Sequence, residues 1–280
     1  MVEGYSIIDA HAHIFPDKIA EKATTGISKF YGLPMYHQTG SVKELLQSGK
    51  EDGVDGFLVC SVATKAEQVA SINQFLSKTC AEHSNCIAFG ALFPTSDTVE
   101  QDLESIQKDH MHGIKLHPDF QNFDIDDPAI YPVYDMIQST GLPILMHMGD
   151  PRTTRSHPRR LANVLKEFPH LRVIAAHLGG YERWDAALEY LQPSDRLRFD
   201  TSSSSAFLPP EKFMEHFRRF GTDHYFFGVD FPMWSHKNEI HFIMNLNLSS
   251  LKKKAIFSEN FKNWLGPVSY THLRAHETLS

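Results

Sequence analysis

Cysteine is scarce in this chain of 280 residues: Cys60, Cys80 and Cys86 are odd in number and form no CxxC pair. That speaks against a disulfide framework and a zinc ribbon, and a reducing cytoplasm is the compartment such thiols suit. No stretch of about 18 uncharged apolar residues is present, as a membrane span needs. Residues 1–9 hold no basic start followed by a long apolar run, so neither a membrane partner nor export is expected. Basic residues are in the minority, 27 Lys and Arg against 34 Asp and Glu for a formal charge of −7. Without a general basic field to gather phosphates, a nucleic-acid partner is disfavoured. Also missing are an internal repeat, a Pro/Gly/Ser linker and a GxGxxG turn after the first apolar run.

What is present is a globular balance, 41% hydrophobic and 22% charged with 20 Phe, enough for a sizeable core. Short apolar, β-branched or aromatic runs alternate with segments of helical period, the pattern of βα units around a parallel sheet. Strands are expected at 5–9, 56–60, 87–92, 113–116, 143–146, 172–176, 197–200 and 225–229. Helices are expected over 65–83, where Val69, Ile72, Phe75, Leu76 and Cys80 keep an apolar stripe, and over 98–109, with Leu103 and Ile106. Ser41 before Glu44 reads as a capping box, and Asp97 as an N-cap. Eight strand–helix units in roughly 250 residues match a closed (β/α)8 TIM barrel, an α/β fold. An open doubly wound sheet is the second choice, and its Gly-rich signature is absent. Residues 1–267 are read as a single domain. Residues 268–280 follow a Gly266-Pro267 break without helical or alternating pattern and read as a non-native tail, so His272 and His276 are set aside.

In a barrel of this kind, reactive residues come from the carboxyl ends of the strands and the loops just after them. Histidine is abundant, 17 in all, and the question is whether it falls there. The first strand runs into Asp9-Ala10-His11-Ala12-His13, where alternation puts Asp9, His11 and His13 on one side, the alanines leaving room. Two imidazoles at i and i+2 can approach one divalent ion, with Asp9 orienting them from behind; an HxH alone is as often incidental. The fifth strand ends in His147 and the sixth in His177, each closing an apolar run. The eighth ends in Asp230, a carboxylate after four apolar residues whose burial calls for a partner such as a cation. Lys115 and His117 stand at i and i+2 in the fourth. Lys115 is open to three roles: an ion pair, a substrate anion, or carboxylation into a bridge between two metals, the last being the least expected. Asp200 ends the seventh strand and reads equally well as a cap or a site residue.

These motifs in order, DAHAH, GIKLHP, LMHMG, HLGG and GVDFP, resemble the amidohydrolase superfamily, in its amidohydrolase-related branch of metal-dependent hydrolases and aminocarboxymuconate semialdehyde decarboxylase-like enzymes. The resemblance spans about residues 5–265. It implies that His11, His13, His147 and Asp230 ligate a metal and that His177 acts as acid/base or substrate polariser. One divalent ion, Zn²⁺ before Mn²⁺, is the implied cofactor, and hydrolysis of an amide, ester or lactone the first expected reaction. Asp230 would then take the proton of the attacking water, making it both ligand and catalytic residue. Non-oxidative decarboxylation of an unsaturated or aromatic acid is the alternative, and a non-catalytic metal-binding barrel the alternative of another class. A small, anionic substrate is expected from Lys115, His117 and the arginines after the fifth strand, Arg152 and Arg155 first, then Arg159 and Arg160. Phe120, Phe123, Trp184, Phe231 and Trp234 are expected to wall the pocket, and a homodimer is allowed.

Overall fold

A computed structural model describes residues 4–266. Eight parallel strands pair in sequence order: β1 Ile8–His13, β2 Gly56–Cys60, β3 Cys86–Ala91, β4 Gly113–Leu116, β5 Ile144–Met146, β6 Val173–Ala175, β7 Leu197–Asp200 and β8 Tyr225–Phe226. The sheet closes because the chain after β8 returns to β1. Ala10 N donates to Phe227 O (2.8 Å), Asp230 N to His11 O (2.8 Å) and His13 N to Phe231 O (2.7 Å). The fold is thus the expected (β/α)8 barrel. The tail proposed at 268–280 lies outside the described residues.

The helices are α1 Asp17–Tyr31, α2 Val42–Asp52, α3 Val69–Glu82, α4 Val99–Lys108, α5 Pro118–Gln121, α6 Tyr131–Thr140, α7 Pro158–Glu167, α8 Trp184–Tyr190, α9 Pro210–Phe220, α10 His236–Asn245, α11 Ser250–Lys254 and α12 Asn260–Leu265. Among the described residues none is long and apolar enough to cross a membrane. The stretch expected as one helix over 65–83 begins with a 3-10 turn at Ala66–Gln68. Ser41 caps α2, its hydroxyl accepting from Glu44 N at 3.2 Å. The Glu44 carboxylate, however, turns back to the amides of Gln38, Thr39 and Gly40 instead of closing the box on Ser41. Thr98 rather than Asp97 stands at the N-cap of α4, and it makes no side-chain cap.

Side chains alternate along each strand. Phe57 and Val59 of β2 point out into the shell packed under the helices, while Leu58 and Cys60 point into the barrel with Ile8, Ala10, Ile87, Phe89, Leu145, Ile174 and Phe226. Phe261 of α12 joins that interior cluster, its ring centroid 5.3 Å from Phe226. Trp264 donates from Nε1 to Asp195 O and carries the Arg172 guanidinium at 4.1 Å, so α12 closes the end where the strands begin. The opposite end is left to polar residues.

Five strands differ in their bounds from the sequence reading, β3, β5 and β6 by a single residue at one or both ends and β1 and β8 by more. β1 starts at Ile8 and runs through the histidines to His13, because Ala12 and His13 keep pairing with Val59 and Cys60 after a register shift. β8 stops at Phe226: a Cβ at Gly228 would come within 3.1 Å of Asp200 and 3.3 Å of His11, and Asp230 sits at φ +65°, so the chain bends over the barrel mouth.

Candidate metal-binding active site

The carboxyl ends of the strands bring His11, His13, Lys115, His147, His177, Asp200 and Asp230 together, all but His13 and Asp230 buried. Asp200 is the keystone. Its Oδ2 takes His11 Nδ1 at 2.9 Å, and its Oδ1 accepts from the His177 amide (3.0 Å), the Ser202 amide (3.1 Å) and the Ser202 hydroxyl (2.5 Å). Burial opposes the charge on Asp200, but the neighbouring imidazoles and these donors hold its carboxyl well below the usual range. Asp9, expected behind the two histidines, plays a different part. Its Oδ1 accepts from the His11 and Val229 amides and its Oδ2 meets His236 Nε2 at 3.1 Å, and Ser48 Oγ lies 2.9 Å from the other ring nitrogen. It ties the backbone of β1 to α10 and leaves imidazole orientation to Asp200.

The protons can be counted. With His11 Nδ1–H on Asp200, His11 Nε2 is a bare lone pair. It faces His13 Nε2 at 3.2 Å and Asp230 Oδ1 at 3.6 Å, and His13 Nε2 faces the same oxygen at 3.4 Å. Ser202 has one hydroxyl proton and gives it to Asp200, so it accepts from His177 Nδ1–H at 2.9 Å. His147 Nε2–H donates to Gly149 O at 2.9 Å. The remaining nitrogens, His177 Nε2 and His147 Nδ1, are then lone pairs opposed at 3.1 Å. Burial lowers the pKa of His147 and His177, the latter to about 4, so an extra proton does not fill the gap between them. Lys115 Nζ, 3.1 Å from His11 Nε2, satisfies one lone pair only. Converging imidazole nitrogens beside an ionised carboxylate are repulsive unless a cation sits among them, and nitrogen-plus-carboxylate is the donor chemistry a divalent transition ion takes.

Asp230 is held facing these nitrogens. Ser203 Oγ donates to its Oδ2 at 2.6 Å and accepts from Trp234 Nε1 at 2.8 Å, which leaves Oδ1 toward the histidines. Burial pushes its carboxyl up, and His11, His177, His13 and Ser203 outweigh that and bring it to about 2. Asp230, His177 and Ser203 all sit at positive φ, a concentration of strained backbone of the sort that marks functional sites.

Above this pole opens a cavity of about 540 Å³. His13, His117, His147, His177 and Asp230 form its floor. One side of α1, residues Ile19, Ala23, Ile27, Phe30 and Tyr31 at helical spacing, forms a wall with Phe15, Ile72, Phe75, Phe120 and Met233. The apolar stripe of α1 is therefore spent on the cavity rather than the core.

Other expected residues fall elsewhere. Arg152 does not line the cavity: it forks onto Asp150 and lies 4.1 Å over the Phe30 ring. Arg155 bonds Asn122 at 2.6 Å, and Arg160 pairs with Asp124 and Asp126. No lysine or arginine is among the described lining residues, since nearby carboxylates and an amide have engaged these arginines outside. Lys115 is buried beside His11, below the cavity. Of the five aromatics expected in the wall only Phe120 is there. Phe123 and Phe231 pack in the core, and Trp184 and Trp234 spend their N–H groups on His177 O and Ser203. Tyr31, Ser202 and Ser203 carried no sequence signal of their own.

A barrel with a cation-ready cluster of histidines and carboxylates at the mouth defines a class of metal-dependent catalyst. The amidohydrolase family matches residues 8–262, and the chain belongs to that family; a divalent metal is what such membership implies. No protein of curated function matches in sequence. Among solved structures, the chain is similar to 5-carboxyvanillate decarboxylase LigW from Sphingomonas paucimobilis, with TM-score 0.73, 12% identity, and 94% of this chain and 99% of that one covered. It is similar to a dihydroxybenzoic acid decarboxylase from a Polaromonas species holding manganese and 2-nitroresorcinol, with TM-score 0.73, 13% identity, and 95% and 99% covered. A third, described as a probable 2-pyrone-4,6-dicarboxylic acid hydrolase from Acinetobacter baumannii with citric acid bound, gives TM-score 0.66, 14% identity, and 94% and 100% covered. At these identities the likeness is one of fold.

Proposed function

We propose that residues 4–266 form one catalytic domain that decarboxylates a small aromatic or unsaturated monocarboxylic acid, using one divalent cation, Zn²⁺ before Mn²⁺. The observation that carries this reading is the cavity: largely apolar walls with the neutral Ser61, Thr64, Gln68 and Ser71 among them, one pole of imidazoles and a carboxylate, and no lysine or arginine among the described lining residues. A single carboxylate can meet positive charge only at that pole, where His11 Nε2, His13 Nε2, His147 Nδ1 and Asp230 Oδ1 would hold the ion. When bound, such an ion supplies Lewis acidity, polarising a substrate oxygen and lowering the pKa of water toward about 7.

In the reaction R–COO⁻ + H⁺ → R–H + CO₂, the bond to the carboxyl carbon breaks, its electron pair stays on the ring carbon, and a proton arrives there. Apolar walls of Phe, Ile and Met favour this step, because a charged carboxylate is costly there and, once the proton has been delivered to the carbon, both products, R–H and CO₂, are neutral. His177 is neutral, fixed by Ser202 on one side and open at Nε2, and so is placed to accept a proton and pass it on. Asp230, ionised and held by Ser203, lines the same floor and is the second carrier.

Hydrolysis is the second reading, favoured by the ionised Asp230 at the floor, which can take a proton from water. A substrate with two carboxylates suits this cavity poorly, since its wall carries no cation for the second. Metal-loaded protein assayed against hydroxylated benzoic acids, lactones and amides decides between them. Release of CO₂ with formation of the decarboxylated arene supports the proposal. Turnover of lactones or amides alone overturns it in favour of hydrolysis, and an inert metal-loaded protein removes catalysis.

A further inference from the structure

Tyr31, the last residue of α1, lines the cavity beside the metal pole, its ring 6.3 Å from that of His147. Its hydroxyl has one hydrogen-bond partner among the described residues, His117 Nε2 at 3.0 Å. The direction of that bond decides what the tyrosine can do, and the backbone settles it. His117 is the N-cap of α5 and its Nδ1 accepts from Phe120 N at 3.3 Å. A nitrogen that accepts an N–H carries no proton, so the neutral ring keeps its proton on Nε2 and donates it to Tyr31. The ring is clamped in this orientation, stacked 3.9 Å from Phe120 on one face and 3.8 Å from His147 on the other. Tyr31 is thus an acceptor toward His117, and its own phenolic proton is left with no protein acceptor, inside an apolar cavity.

We propose that Tyr31 is a substrate-binding residue whose phenolic proton, left free by His117, donates a hydrogen bond to a second oxygen of the substrate next to the group held at the metal pole. This rests on the decarboxylase reading and narrows it to an acid with a hydroxyl or oxo oxygen adjacent to the reacting carboxylate. A bare donor in such a place selects for an acceptor, because an acid lacking that oxygen leaves the phenol proton unsatisfied. Negative charge gathering on the substrate oxygen would strengthen the bond, with His117 polarising the phenol from behind.

Two measurements test it on the metal-loaded full chain. Proton-detected ¹⁵N spectra, with His117 assigned by difference from His117→Asn, read the tautomer directly and need no ligand. The Nε2–H form is expected, and the Nδ1–H form overturns the inference, since Tyr31 would then be donating to His117. Titration of wild type and Tyr31→Phe with salicylate and benzoate reads the selectivity. Wild type is expected to favour salicylate by about tenfold or more, and the variant, which keeps the ring, to lose that preference, binding salicylate more weakly and benzoate no more weakly than wild type. An unchanged preference in Tyr31→Phe overturns the inference even with the expected tautomer. If wild type binds neither acid, the functional reading fails, and the tautomer alone decides whether Tyr31 keeps a free donor.

Discussion

The two ends of the barrel interior grow from the same strands and are filled by opposite chemistry. Near the strand starts the inward positions are Ile8, Ile87, Leu145, Ile174 and Phe226, closed from below by Phe261 and Trp264 of α12. A few residues further along, the same strands deliver His11, His147, His177 and Asp200, buried and joined by hydrogen bonds. Apolar packing of the first kind is self-sufficient, while the second is satisfied only in part by its own partners and, on the proposed reading, is completed by a cation. The barrel's stability and its chemistry are therefore separable, one at each end.

Phe261→Ala should produce the largest change. The side chain is 1% exposed, and removing it should destabilise the fold by about 3–5 kcal/mol in chemical denaturation while leaving metal affinity of the folded fraction unchanged. A comparable loss of metal affinity would show that the two ends are coupled. At the other end, Asp200→Asn keeps the shape but weakens the grip on His11 Nδ1–H, and metal affinity by competition with a chelator should fall about 10- to 100-fold. A smaller effect on stability than that of Phe261→Ala is expected from Glu239, a carboxylic acid of α10 that accepts from Ser205. Burial raises its pKa from 4.5 to about 7, Ser205 opposing and the charge of Asp9 adding to the rise. Below 4.5 it is protonated whether folded or unfolded; as pH rises toward about 7 the unfolded chain loses the proton first and stability falls, becoming flat above. Glu239→Gln should remove that decline, so the variant should gain on wild type by about 2–3 kcal/mol between pH 5 and 8, measured by urea unfolding. Parallel pH curves for the two proteins would remove Glu239 as the cause.

Much of this was legible in the chain because it is local. The runs at 56–60, 113–116 and 197–200 are the observed β2, β4 and β7, since a short apolar run between turn signals has few alternatives. His11, His13, His147, His177 and Asp230 stood out because each ends such a run. What was illegible depends on partners far away in sequence. Asp200 finds His11 across 189 residues, and nothing near it distinguishes that role from a loop cap. Tyr31 ends a helix that the sequence reading did not single out, and its place over the mouth is set by the fold. The arginines after β5 looked like substrate ligands because the sequence reading did not pair them with their carboxylates, Asp124 and Asp126 some 34 residues before Arg160 and Asp150 beside Arg152.

Metal content before and after substitution tests the central claim most directly. Elemental analysis of reconstituted wild type should give about one divalent ion per chain. His147→Ala and Asp230→Ala should lose the ion while keeping the circular dichroism of the barrel, and His177→Ala should retain it but lose turnover. Wild type that binds no ion after reconstitution, or His177→Ala that releases it as readily as His147→Ala, would contradict the account.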